Sequence, residues 1–155
     1  MPNESIISVL NDLIEINNDR VTGYEKASEE TKSLDVDLQA YFSKLANDSR
    51  KNTAELSQEV RRLGGEPATG TTNSGKIYRA WMDVKATFTG HDRTSILESC
   101  EFGEDAAQKA YRAALSSDAD MSTETRQLIS DQQSSLKEAH DHIKKYRDLH
   151  KAVAG

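Results

Sequence analysis

The chain has 155 residues, the length of one ordinary domain, and we expect a single domain over 1–155. Its formal net charge of −6 argues against nucleic acid or an anionic membrane surface as a partner, because both select clustered positive charge. The single cysteine excludes an internal disulfide. The sequence shows no apolar run long enough to span a bilayer and no signal peptide, so we expect a cytoplasmic protein.

The first part of the chain predicts two long helices, A and B, because apolar residues recur every three or four positions. Helix A is predicted over about 4–32, with Asn3 as its N-cap. Helix B is predicted over about 36–63 and stops at Gly64-Gly65, since glycine readily adopts the left-handed conformation that closes a helix. Their inward stripes comprise Ile6, Leu10, Leu13, Asn17, Val21, Tyr24 and Ala27 in helix A, and Leu38, Phe42, Leu45, Ser49, Leu56, Val60 and Leu63 in helix B.

A long connection, which we call the crossover, follows over 64–93 and contains a predicted short amphipathic helix at about 75–89. Its apolar residues include Trp81, Met82 and Phe88. We expect them to cover the bundle, because exposed aromatic patches are rare in monomers, and the alternative is a homodimer contact.

Within the crossover, residues 70–76 read GTTNSGK and fit the GxxxxGK pattern of phosphate-binding loops. Such loops follow a buried strand and continue with Ser or Thr, whose hydroxyl binds magnesium. Here a helix precedes the segment and Ile77 follows it. We interpret it as a linker that leads into a helix.

The last part of the chain predicts helix C over about 94–117 and helix D over about 123–151, with Ser122 as the cap of helix D. Cys100 lies on the inward stripe of helix C, where a buried cysteine ordinarily acts as a small hydrophobe and not as a nucleophile. The stripes comprise Leu97, Cys100, Glu104, Ala107, Tyr111 and Ala114 in helix C, and Leu128, Gln132, Leu136, Ala139, His140, Ile143 and Tyr146 in helix D.

The connection lengths predict the topology. The short A–B and C–D connections favour two antiparallel hairpins, whereas the crossover, at roughly thirty residues, is long enough to run the length of the bundle. Helices B and C should therefore be parallel, which is typical of an all-α, ferritin-like four-helix bundle. An internal repeat with an offset of 87 residues supports this architecture, since it superimposes Tyr111 on Tyr24 and Glu104 on Asn17.

Five segments carry a resemblance to a known family. They read, in chain order, LNDLIEINNDRVTGYEKA, EVRRLGGEP, AWMDVK, ESCEFGEDAAQKAYRAAL and EAHDHIK. Together, from about Ser5 to Leu149, they resemble an uncharacterised bacterial family of four-helix-bundle proteins, a domain of unknown function within the ferritin-like superfamily. The resemblance implies a fold and a superfamily, but it implies no activity.

The superfamily's chemistry implies a di-metal site, which needs a Glu from each of two helices and a Glu-x-x-His from each of the other two. The corresponding positions hold Asn17 in helix A, Arg50 and Thr53 in helix B, Glu104 in helix C, and Lys137 and His140 in helix D. Only Glu104 and His140 retain ligand chemistry. We therefore expect no cofactor. The alternatives are a metal site at Glu104 and His140, and a di-metal centre that holds iron or manganese.

We expect instead a structural polar layer, in which the cations of Arg50 and Lys137 balance the buried Glu104. The layer comprises Asn17, Tyr24, Arg50, Glu104, Tyr111, Lys137 and His140. His142 and His150 share a face of helix D; zinc could bind there, although histidines near a helix C-terminus commonly only complement its dipole.

The favoured function is that of a structural or interaction protein, stress-associated and with no intact di-iron site; the sequence favours a non-enzyme but leaves enzymatic activity open. One alternative is a protein that binds a metal or small ligand at the Glu104 and His140 layer. The other is a ferritin-like di-metal oxidoreductase. The sequence identifies no substrate and no protein partner.

Overall fold

The computed structural model describes residues 3–31, 36–70 and 93–154. Within these ranges the chain forms four helices and no strand. They are α1 (Glu4–Thr31), α2 (Val36–Arg62), α3 (Arg93–Leu115) and α4 (Thr123–Ala154), which correspond to the predicted helices A to D. The predicted short helix at about 75–89 and most of the GTTNSGK segment lie outside the described residues.

The helix ends follow from local chemistry. Gly64 adopts a φ of 92° just after α2, as the Gly-Gly stop predicted. Gly65 then passes so close to α1 that a β-carbon there would lie 2.8 Å from the side chain of Ile7. At the start of α4, the backbone N–H of Thr125 donates to the Ser122 hydroxyl at 3.1 Å, so Ser122 is the predicted N-cap.

Helices α1 and α2 form one antiparallel hairpin, and α3 and α4 form the other. In the first hairpin, the Asn3 side chain at the start of α1 donates to the carbonyl of Leu63, just beyond the end of α2, at 3.1 Å. In the second, Arg147 near the end of α4 contacts Glu101 near the start of α3. The two predicted hairpins are confirmed.

Contacts between the hairpins fix the direction of the remaining helices. Asn17 of α1 bonds to Tyr111 of α3, whereas Arg20, further along α1, bonds to Glu104, which comes earlier in α3. Helices α1 and α3 are therefore antiparallel, and since α1 is also antiparallel to α2, α2 and α3 run parallel. This is the arrangement that the long crossover predicted.

In the part of the chain that the structure describes, the core consists of two apolar clusters with a polar region between them. The first cluster comprises Tyr24, Ala27, Leu38, Phe42, Leu45, Ala46, Leu97, Cys100, Ala139 and Ile143. The second comprises Ile6, Leu10, Leu13, Ile14, Ile16, Leu56, Val60, Ala107, Tyr111, Ala114, Ile129 and Leu136. Within the described residues, no helix combines the length and apolarity that a membrane span requires.

The burial pattern follows the internal repeat. Residues related by the offset of 87 are at most 1% exposed in every pair that the sequence aligned. The pairs are Leu10 with Leu97, Leu13 with Cys100, Asn17 with Glu104, Tyr24 with Tyr111, Phe42 with Ile129, and Leu56 with Ile143. The two hairpins thus present equivalent inward faces to a common centre.

Candidate functional site: a buried ion pair at the bundle centre

The centre of the bundle holds an ion pair between Arg20 of α1 and Glu104 of α3. Arg20 Nε donates to Glu104 Oε1 at 2.6 Å, and Nη2 donates to Oε2 at 3.0 Å. The guanidinium thus occupies both carboxylate oxygens in a bidentate fork, the geometry in which arginine binds carboxylates most strongly. The side chains are 1% and 0% exposed, so water contributes little to the solvation of either charge.

Two further groups support the Arg20 guanidinium. Its third nitrogen, Nη1, donates to the hydroxyl of Ser49 on α2. The ring of Tyr24, one turn along α1, lies with its centroid 5.4 Å from the guanidinium carbon, within the range of a cation–π contact. Tyr24 in turn stacks on Phe42 at 5.7 Å between ring centroids. Arg20 therefore ties together α1, α2 and α3.

A second layer of polar groups, made of amides and a phenol with one carboxylate at its edge, lies next to the ion pair. Asn17 Nδ2 donates to the Tyr111 hydroxyl at 2.8 Å, and that hydroxyl donates to Gln132 Oε1 at 2.7 Å. Asn52 Nδ2 donates to Asn17 Oδ1 at 3.2 Å, and Gln132 Nε2 donates to the half-buried carboxylate of Glu55 at 3.2 Å. This network connects all four helices, so it fixes their register as well as satisfying the buried amides.

The ion pair and the surrounding apolar groups shift neighbouring pKa values. Desolvation works against the charged Arg20, but the Glu104 carboxylate more than offsets it and raises the Arg20 pKa. Burial, with Glu104 second, raises the pKa of Tyr24 well above its usual value and also raises that of the Cys100 thiol. Burial likewise raises the pKa of Tyr111. At neutral pH the centre therefore holds a fixed positive charge on Arg20 and neutral phenol and thiol groups.

The structure corrects the identity of the cation beside Glu104. Arg50 lies on the exposed face of α2, with its side chain 47% exposed, and pairs with Glu25. Lys137 is 70% exposed on α4 and pairs with Asp141 four residues later. The expectation that Arg50 and Lys137 balance Glu104 is therefore wrong, because both side chains project into solvent and the buried Arg20 occupies the carboxylate.

His140 also lies away from the position assigned to it. Its side chain is 20% exposed, and its Nε2 atom is 2.6 Å from Asp105 Oδ1 on the outer side of α3. Of the seven residues assigned to the polar layer, the structure places Asn17, Tyr24, Glu104 and Tyr111 at the centre. Arg50, Lys137 and His140 lie outside it.

The displaced residues share one cause, an error of one position in register. The inward side chain of α2 at the level of Glu104 is Ser49, which Arg20 contacts, followed by Asn52. The repeat places Leu136 and Ala139 at the equivalent positions of α4, and both are buried. A residue in a helix is rotated by about 100° from the next, so Arg50 and Lys137 point outward.

The candidate zinc face on α4 is described only in part. His142 is exposed and meets the ring of Tyr41 edge-on at 5.7 Å between centroids. The side chain of His150 lies outside the described residues. Cys100 is fully buried in the first apolar cluster, as expected for a cysteine that packs as a small hydrophobe.

Comparison with known proteins identifies the family. A model of the family described as "Domain of unknown function (DUF2383)" matches residues 5–117, well over half of the chain. The chain belongs to the DUF2383 family. This confirms the resemblance drawn from the sequence segments, and it assigns no activity. A comparison with curated protein sequences finds no match.

Among solved structures, the chain is similar to the bacterioferritin of Desulfovibrio desulfuricans. The TM-score is 0.80 at 20% sequence identity, and the alignment covers 97% of this chain and 82% of that chain. That bacterioferritin structure is described as showing a diiron site in different catalytic states. At this identity the likeness shows the fold, and the predicted ferritin-like four-helix bundle is confirmed.

The residues at the centre of this DUF2383 chain do not match the donor set of a di-metal centre. Such a centre in this fold uses a Glu from each of two helices and a Glu-x-x-His from each of the other two. The corresponding inward positions, as the described helices place them, hold Asn17, Ser49, Asn52, Glu104, Leu136 and Ala139. Only Glu104 is a carboxylate, and Arg20 binds both of its oxygens.

Proposed function

We propose that this protein is a structural or interaction protein, a ferritin-like bundle whose centre carries an arginine–glutamate ion pair and no di-iron site. The observation that carries the proposal is the bidentate contact of Arg20 with Glu104 in the buried centre. A carboxylate with both oxygens bonded to a guanidinium is a poor ligand for a second cation. In this proposal the centre serves stability and register, not redox chemistry.

Electrostatics support the proposal. Two unit positive charges about 4 Å apart repel each other by about 4 kcal/mol at an effective dielectric of 20. The repulsion between the Arg20 guanidinium and a divalent ion would be larger. The Glu104 carboxylate balances only the charge of Arg20, while Asn17 and Ser49 are neutral and Leu136 is apolar. The half-buried Glu55 already accepts a hydrogen bond from Gln132. An incoming Fe²⁺ would therefore meet a centre that has no net negative charge and few free ligands.

The cellular part of the proposal is a bacterial, cytoplasmic and stress-associated protein. It rests on the family resemblance, the acidic composition and the single cysteine. Protein abundance measured before and after oxidative stress or starvation in the source bacterium tests it. We expect abundance to rise under at least one of these stresses, and constant abundance across all of them would contradict the stress association.

The biochemical test is metal content followed by iron oxidation. Protein produced in iron-supplemented medium should contain well under one iron per chain by elemental analysis. After anaerobic addition of Fe²⁺ and exposure to air, the oxidation rate should equal that of buffer alone. The Glu104→Gln variant is the matched control, and it should behave like the unmodified protein in both measurements.

The opposite result is equally specific. Two equivalents of iron or manganese per chain, lost in a folded Glu104→Gln variant, would show that the carboxylate binds metal despite Arg20. Iron oxidation faster than buffer, and dependent on Glu104, would assign the protein to the di-metal oxidoreductases. Circular dichroism of the variant keeps loss of metal distinct from loss of fold.

A further inference from the structure

We infer that Glu101, Asp105 and His140, on the outer side of the α3–α4 hairpin, form a binding site for a single divalent transition-metal cation. Asp141 orients the imidazole ring of His140. This site lies outside the Arg20–Glu104 centre and does not depend on the function proposed above.

The three donors converge from two helices. Glu101 and Asp105 are one turn apart on α3 and share a face, while His140 reaches them from α4. One ligand atom from each residue lies within 4.8 Å of the other two. His140 Nε2 and Asp105 Oδ1 are 2.6 Å apart in direct contact. Tetrahedral zinc ligands lie about 3.4 Å apart at bond lengths of about 2.0–2.2 Å, so small side-chain movements would seat an ion among them.

The donor types select a transition metal. An imidazole nitrogen together with two carboxylate oxygens suits zinc and its neighbours, whereas calcium and magnesium prefer oxygen ligands alone. The Glu101 and His140 side chains are 13% and 20% exposed, while Asp105 is 54% exposed. The site is thus partly walled by protein, and a water can complete the coordination.

The orientation of His140 is the observation that distinguishes this group from scattered surface acids. Its Nδ1 atom lies 3.2 Å from Asp141 Oδ1, while Nε2 faces Asp105. A metal-binding histidine ordinarily donates its second ring N–H to a carboxylate, which fixes the tautomer and the ring plane. In the metal-free protein Nε2 donates to Asp105. When an ion binds, it displaces the Nε2 proton and the Nε2 lone pair becomes a ligand, while the proton on Nδ1 stays bonded to Asp141.

The surrounding charges favour a divalent ion. Arg147 contacts Glu101 and pairs with Asp148 at 2.9 Å, and Lys137 pairs with Asp141 at 3.1 Å. The group contains two cations, Arg147 and Lys137, and four carboxylates, those of Glu101, Asp105, Asp141 and Asp148. Its net charge is therefore −2 when His140 is neutral. A cation of charge +2 balances this group. Because Arg147 contacts Oε2 of Glu101, the ion would bind through Oε1.

Zinc titration of the metal-free protein tests the inference. Protein dialysed against a chelator and then against buffer is titrated with Zn²⁺ by calorimetry, and Co²⁺ is added separately to record its absorption spectrum. We expect one ion per chain, with a Co²⁺ spectrum that shows nitrogen and oxygen ligation. Because the ion joins α3 to α4, Zn²⁺ should also raise the midpoint of thermal unfolding.

Variants separate this site from other zinc sites. His140→Ala and Asp105→Asn should each weaken Zn²⁺ binding at least tenfold, and Asp141→Asn should weaken it by about 10–100-fold through the orientation of the ring. Two changes on the same helix serve as controls. Glu138→Gln, at an exposed position, and His142→Ala, on the Tyr41 side, should leave the affinity unchanged.

Each contrary outcome is informative. No zinc binding in the unmodified protein, or equal binding in the folded His140→Ala variant, would overturn the inference and leave His140 and Asp105 as an ion pair. Loss of zinc in His142→Ala would move the site to the other face of α4. The absence of zinc binding would not affect the function proposed for the bundle centre. Iron binding that depends on Glu104 would refute that function but would not affect the site at His140.

Discussion

Replacement of Arg20 by methionine removes the cation from the bundle centre and leaves Glu104 buried with neither guanidinium bond. Breaking a buried pair from one side costs about 3–5 kcal/mol, because an uncompensated charge stays in an apolar environment. For a chain of this size each kcal/mol lowers the unfolding midpoint by about 2–4 °C, so Arg20→Met should lower it by about 6–20 °C. Urea unfolding followed by circular dichroism measures the free energy directly.

A double-mutant cycle assigns that loss to the pair. Glu104→Leu alone should also cost about 3–5 kcal/mol, since it leaves Arg20 buried and unpaired. Arg20→Met combined with Glu104→Leu should lie close to the unmodified protein, because apolar residues of similar volume often match or exceed a buried ion pair in stability. The coupling energy would then be several kcal/mol, far above the few tenths that independent sites show.

The matched control is Arg50→Met. Arg50 and Glu25 also form an ion pair, but their side chains are 47% and 50% exposed, and such pairs contribute about 0–1 kcal/mol. If Arg20→Met and Arg50→Met shift stability by the same small amount, or if the single changes at Arg20 and Glu104 simply add, the reasoning about a desolvated pair is refuted.

Three further outcomes follow from the same centre. Tyr111→Phe removes the hydroxyl shared by Asn17 and Gln132 and should cost about 1–3 kcal/mol in urea unfolding; a change within error would contradict the network. Burial raises the Cys100 pKa, so a thiol reagent at pH 8 should react with Cys100 only in denaturant, and rapid reaction of the folded protein would contradict its burial. Burial also raises the folded-state pKa of Tyr24 and Tyr111, so their contribution to stability is present below about pH 10, where the unfolded phenols begin to ionise, and is lost above it. Urea unfolding from pH 8 to 11 should show this loss, and constant stability across that range would contradict it.

The fold could be predicted from the sequence because its determinants are local. A 3.6-residue apolar period gives the four helices, Gly64-Gly65 ends α2, and connection lengths leave few topologies. The internal repeat adds an independent constraint, since two hairpins with the same inward positions must face a common centre. None of these features depends on a contact between distant residues.

The Arg20–Glu104 ion pair could not be predicted from local features, although the spacing of residues in α1 indicates that Arg20 points inward. The spacing Leu13, Asn17, Arg20, Tyr24 alternates steps of four and three residues, which is the period of an inward stripe. The predicted stripe contains the next residue, Val21, instead, whereas an arginine ordinarily lies in solvent. The structure shows Val21 half-buried and Arg20 fully buried. The carboxylate of Glu104 on α3 balances the buried charge, and periodicity does not identify that partner.

The register error in α2 and α4 has a similar origin. The predicted inward stripes contain Ser49 and Leu136, whereas the metal-binding pattern of the superfamily falls on Arg50 and Lys137, one position later. The two predictions differ by one residue, and the burial of Ser49 and Leu136 follows the hydrophobic period. In helices, a single-residue shift is enough to turn a buried ligand position into an exposed lysine.

The neutral amide of Asn17 and the cation of Arg20 together determine the charge balance of the bundle centre. The repeat places Asn17 and Glu104 at equivalent positions, where a di-metal centre would carry two carboxylates. One guanidinium can satisfy one carboxylate with a bidentate contact, and a second buried carboxylate would then be left without a partner at a cost of several kcal/mol. The neutral amide at Asn17 avoids this cost and bonds instead to Tyr111 and Asn52. The centre is therefore balanced with one cation and one anion, and the proposed function rests on this balance more than on the loss of any single metal ligand.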